Sequence, residues 1–135
     1  MRTLLFTCIC ILWFSYGISP VKAAGNLYIC NALEIQSLSP SGKLEETDYD
    51  NRLLQRLGDV TFDEASGILR DGIGTYEMQI VQQGTSENST IAIDTYQGAV
   101  AAGSDVFRIA TWEENMPFLY LRSSTVYTGT CKRMN

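Results

Sequence analysis

From Tyr76 onward the chain is written in a period of two, and this period limits what it can fold into. In TYEMQIVQ, Tyr76, Met78 and Ile80 fall on one face and Glu77 and Gln79 on the other. In STIAIDTY, Ile91 and Ile93 alternate with Ala92 and Asp94. In VFRIATW, Phe107, Ile109 and Thr111 oppose Val106, Arg108 and Trp112. FLYLRSSTVY carries apolar groups on both faces. Successive side chains of a strand point to opposite sides of a sheet, so this alternation predicts antiparallel strands, each half-buried.

Turn chemistry separates the alternating runs. FDEASGIL predicts a hairpin: Asp63 opens a type I turn and Gly67 takes the left-handed position that glycine occupies at little cost. QGTSENS is a polar loop, Gly98–Ser104 (GAVAAGS) is a loop of small residues, and EENMP closes a hairpin between Trp112 and Phe118. ETDYDNRLLQRLGD departs from the pattern. Tyr49, Leu53 and Leu57 recur at i, i+4 and i+8 with Leu54 beside them, Thr47 or Asp48 suits an N-cap, and Gly58 suits a stop. One helix near 48–57 is predicted, its leucine face on the sheet. The fold class is therefore mainly β: about eight antiparallel strands in a small barrel, or a two-sheet sandwich, with one short helix.

The N-terminus reads as a leader. Arg2 precedes an apolar run from Leu4 to Trp13, and Val21-Lys22-Ala23 offers small residues at a cleavage site. Ser15, Gly17, Ser19 and Pro20 interrupt the run before it reaches bilayer-spanning length. Residues 1–23 are thus expected to be a cleaved signal peptide and residues 24–135 a single domain, secreted or periplasmic and off the membrane. Cys8 and Cys10 leave with the leader. Cys30 and Cys131 remain, and in an oxidising compartment they are expected to pair, joining the first strand to the last. That link suits a barrel, because bridged α-carbons lie close together.

The leader also removes two of the 10 basic residues, leaving eight against 15 acidic ones and a net charge of −7. Such a surface repels phosphate backbones and anionic lipid, which argues against nucleic acid and favours a basic protein partner. The chain has no histidine. Triads, Cys–His pairs and histidine metal sites are therefore excluded, and with both cysteines bonded so is thiolate zinc. GIGTYE has Glu77 where a dinucleotide-binding loop needs its third glycine and reads as a turn. Asp48, Asp50 and Asn51 lack the glycine and distal glutamate of a calcium loop and read as helix capping. No cofactor or metal is expected.

Two features can carry recognition or chemistry. Trp112, Glu113, Glu114, Met116 and Phe118 cluster at one predicted hairpin, an aromatic tip with an acidic rim that suits a protein interface. Glu113 and Glu114 are also the carboxylates nearest an aromatic that can stack on a sugar, the pattern a glycan hydrolase needs. Asn88-Ser89-Thr90 is a glycosylation sequon, relevant only in a host that glycosylates exported proteins.

The stretches FRIATWEENMPFLYLRSSTVYTGTC and TFDEASGIL resemble a group of small secreted bacterial proteins of unknown function. The resemblance covers most of the chain after the leader and implies no activity. More distantly, LYIC with a closing cysteine is similar to periplasmic inhibitors of c-type lysozyme, small disulfide-linked β-barrels with a loop that enters the lysozyme cleft. In that family the Ser-Gly of the inhibitory loop precedes an aromatic residue, whereas here Ser66-Gly67 leads into Ile68-Leu69. No inhibitory residue carries over, and the resemblance implies barrel shape alone. The expectation is a non-catalytic, monomeric binding module, as in an inhibitor of a basic enzyme. A small-molecule carrier using the barrel interior ranks second and a carboxylate-dependent glycan hydrolase last.

Overall fold

A computed structural model describes residues 25–97 and 102–134. The expected leader, with Cys8 and Cys10, lies outside the described residues, as do Gly98–Ala101 of the small-residue stretch. The strands are β1 (Leu27–Leu38), β2 (Leu44–Glu45), β3 (Asp59–Asp63), β4 (Ile68–Arg70), β5 (Thr75–Glu77), β6 (Gln79–Gln82), β7 (Thr90–Gln97), β8 (Ala102–Ile109), β9 (Pro117–Arg122) and β10 (Thr125–Met134). A helix, α1 (Asp48–Leu57), follows β2. The pairing is antiparallel throughout, in the order β5-β4-β3-β1-β10-β9-β8-β7-β6, with β2 added to β1.

The two edge strands, β5 and β6, are consecutive in the chain with only Met78 between them. A sheet whose opposite edges are one residue apart has to curl until those edges meet, so the fold is a nearly closed barrel and not a sandwich. Met78 N donates to Gly67 O at 2.8 Å, and Gly67 turns the β3–β4 hairpin at φ 72°. TYEMQIVQ, which reads as one strand, is thus split at Met78. That split and the two-residue β2 raise the number from about eight to ten. Ala102–Ser104, expected to belong to a loop, begin β8.

The barrel interior is built by the inward parity of each strand. Ala92, Phe107, Tyr120, Tyr127 and Ile35 lie directly across from one another on β7, β8, β9, β10 and β1. Phe107 is the hub, with ring centroids 5.0 Å from Phe62 and 5.8 Å from both Phe118 and Tyr120; Tyr120 stacks on Tyr127 at 5.4 Å. Cys30 and Cys131 are bonded, as expected, and are register partners across β1 and β10.

The helix forms where its capping signals placed it. Thr47 is the N-cap, and the Asp50 carboxylate answers it by accepting from Thr47 N at 2.9 Å, a reciprocal capping box. Asp50 also accepts from Ser37 Oγ at 2.7 Å, which ties the helix start to β1. Burial pushes the Asp50 carboxyl up, but the bonds from Ser37 and Thr47 outweigh it and hold the group below its ordinary range. Leu57 is fully buried, with Leu53 and Leu54 packed on the core. Tyr49, expected on the same face, remains exposed beside a cleft at this end of the barrel.

Candidate functional site

The predicted hairpin between β8 and β9 is a tightly bonded turn. Ala110 N donates to Pro117 O, Glu113 N to Ala110 O and Met116 N to Glu113 O. Met116 takes a positive φ of 40°, and its carbonyl accepts Cys131 N at 2.9 Å, fixing the turn to β10. Thr111 Oγ1 donates to the carbonyls of Thr85 and Asn88. A loop held on both sides in this way loses little further freedom on binding.

The five residues singled out in this turn do not act together. Trp112 stands out at 41% exposure, its indole N–H donating to Glu113 Oε1 at 2.9 Å, and Glu114 is exposed beside it. Met116 is half-buried against the core. Phe118 turns inward at 4% exposure and packs on Phe107, so it belongs to the core and not to a surface site. The reason is parity: Pro117 and Leu119 take the outward positions of β9. Asn88 is exposed in its loop, and Thr90 of the same sequon is buried against Glu64.

Trp112 has as its neighbour a residue that the alternation in VFRIATW places on the same face. The Arg108 guanidinium lies 5.7 Å from its ring, and Arg108 Nε donates to the buried Ser89 at 2.9 Å. Arg108 opens onto the outer face of the sheet, where Ile91, Arg108, Leu119 and Thr128 are register partners across β7 to β10. The next row is Ile93, Val106, Leu121 and Val126, also directly across from one another and all half-exposed. Four aliphatic side chains on four neighbouring strands make a band about 14 Å long at the usual inter-strand spacing. It points outward because the alternate positions hold Ala92, Phe107, Tyr120 and Tyr127. Exposed Glu34, opposite Thr128, continues the neighbouring Arg108 row onto β1.

The buried charges lie elsewhere, and composition gave no sign of them. Glu64, which reads as a turn residue in FDEASG, is 2% exposed. It accepts from Asn26 N and Nδ2, from Gly84 N at 2.7 Å and from Thr90 Oγ1 at 2.6 Å. Burial pushes its carboxyl up, but these four bonds outweigh it and hold the pKa below the usual range. Glu64 therefore ties the start of β1, the loop after β6 and β7 together at one barrel end. At the other end, Asp105 is buried next to Arg122, with Oδ2 3.7 Å from Arg122 Nε and Oδ1 accepting Ser123 N at 3.2 Å. Here burial wins and the Asp105 carboxyl is raised. Arg122 stacks over Tyr76 at 4.4 Å and donates to its hydroxyl at 2.8 Å. Glu64 works as a structural crosslink, whereas Asp105 has Asp94 as its register partner on β7, a second carboxylate that also pushes the Asp105 carboxyl up.

No protein-family model, no curated protein and no solved structure matches this chain. The disulfide fits an oxidising, extracellular or periplasmic setting. Among the described residues, no helix is long and apolar enough to cross a membrane.

Proposed function

We propose that this is an exported, non-catalytic binding module, secreted or periplasmic, that docks a basic protein on the outer face of β7–β10. The single observation that carries this reading is the outward row Ile93, Val106, Leu121 and Val126, continuous through Leu119 and Arg108 with exposed Trp112. A contiguous apolar band on the outside of a small barrel costs solubility and marks an interaction surface. Trp and Arg are the residues that most often dominate such interfaces, here set in a turn already fixed by hydrogen bonds. Glu34 beside this face and Glu113 at the Trp112 indole, on a chain of net charge −5, favour a cationic partner. Inhibition of a basic enzyme is one use of such a face. The carrier reading is less well supported, because Phe62, Phe107, Phe118, Tyr120 and Tyr127 occupy the barrel interior.

The test is capture of basic extracytoplasmic proteins on the immobilised, disulfide-bonded chain, eluted in steps of salt. The reading requires a saturable basic ligand that is retained by wild type and lost by both Trp112→Ala and Leu121→Glu. Capture indifferent to both substitutions, or unchanged at high salt, would overturn it.

A further inference from the structure

At the barrel end bordered by α1, a cleft of about 320 Å³ opens between the helix and the β9–β10 turn. Buried Tyr127 and half-buried Leu53 line it, and Tyr49 and Ile73, both large and exposed, stand beside it. Its two charged lining residues are Arg56 and Arg122, and no carboxylate lines it. In a chain with 15 acidic and 10 basic residues, this cleft runs against the overall charge.

Arg122 is held in position. It stacks on Tyr76 and hydrogen-bonds the Tyr76 hydroxyl through Nη1, while its Nε faces Asp105 at 3.7 Å. Its Nη2 makes no hydrogen bond among the described residues. Arg56, in the last turn of α1, makes no ion pair among the described residues. The carboxylates behind the wall are partly engaged elsewhere, with Asp71 Oδ2 buried and without a hydrogen bond among the described residues. Asp105 Oδ1 takes the Ser123 amide, Asp71 Oδ1 takes the amides of Ile73 and Gly74, and Asp50 is spent on the helix cap. Two guanidiniums thus line the cleft over aromatic and aliphatic walls, and among the described residues Asp105 is the one carboxylate that forms an ion pair with either of them. A planar guanidinium fork matches a carboxylate, and a cleft of this volume is at the small end of ligand sites.

We propose that this cleft binds a small organic monocarboxylate with an aryl or branched-alkyl body, its carboxylate between Arg56 and Arg122 and its apolar part against Tyr127, Leu53 and Ile73. The site is separate from the outer face of β7–β10 and does not depend on that reading.

The probe pair is 3-phenylpropionate and its neutral amide, titrated into the isotopically labelled, disulfide-bonded protein and followed by amide chemical shifts. The acid should shift Leu53, Arg56, Ile73, Ser123 and Thr125 saturably and bind about tenfold more tightly than the amide. Arg56→Gln lies on an exposed helix position and should weaken the acid about fivefold or more, whereas Glu87→Gln, exposed in the loop after β6, should leave it unchanged. Equal binding of acid and amide, an unaffected Arg56→Gln, or no saturable shift up to about 20 mM probe would each overturn the proposal.

Discussion

Cys30 and Cys131 stand directly opposite one another in β1 and β10, their α-carbons 3.9 Å apart across 101 residues of sequence. The bridge therefore joins neighbouring strands, reinforcing a pairing that the backbone ladder already makes. Its main effect falls on the unfolded chain, which it closes into a long loop.

Replacing both cysteines by serine should cost roughly 2–5 kcal/mol while leaving the barrel intact. Chemical denaturation of the oxidised protein and of the double variant checks this. A midpoint unmoved by the double substitution would show that the crosslink contributes nothing to stability.

Glu64→Gln puts an amide where a carboxylate takes four hydrogen bonds and should cost roughly 2–4 kcal/mol at neutral pH. The folded pKa of Glu64 is lowered, so its contribution is complete above the unfolded value of about 4.3 and is lost as pH falls through the folded one. Asp105, raised by burial, acts in the opposite sense, so the quantity to follow is the stability difference between wild type and Glu64→Gln. That difference should be flat at neutral pH and shrink in acid.

Gly129→Ala tests how closely β1 and β10 approach at the bulge. A Cβ there would meet Asn31 O at 2.0 Å and Phe118 Cε1 at 2.8 Å. Neither the β1 backbone nor the packed ring can yield easily, so the substitution should cost roughly 2–4 kcal/mol in thermal or denaturant melts. Alanine at the exposed Thr130 should be close to neutral by comparison.

Trp112→Ala should change stability by less than about 1 kcal/mol, since the ring lies largely outside the core. The same substitution should weaken the captured partner at least about tenfold, the behaviour of an interface anchor. Calorimetry of the complex alongside a thermal melt of the free protein separates the two effects.

The sequence carried the local features well. Period-two runs became strands, the Asp63-to-Gly67 segment became a hairpin, and Thr47 capped a helix over Asp48–Leu57, because alternation, turn preference and capping act within a few residues. The disulfide was legible too, because only Cys30 and Cys131 lie beyond the stretch that reads as a leader. The candidate surface was only partly legible: Trp112, Glu113 and Glu114 are exposed as expected, whereas Phe118 is core.

What sequence by itself determined was therefore the class of the fold, its helix and its crosslink, since each depends on neighbours in the chain or on a count. Which side of each strand is inside was decided by tertiary structure. In STIAIDTY the alternation names two faces without ranking them, and the register sets small Ala92 against Phe107, leaving Ile91 and Ile93 outside. The break at Met78, the burial of Glu64 and the meeting of Arg122 with Tyr76 likewise depend on closure of the barrel. That closure brings together residues up to 46 apart in these contacts, and no local pattern encodes it.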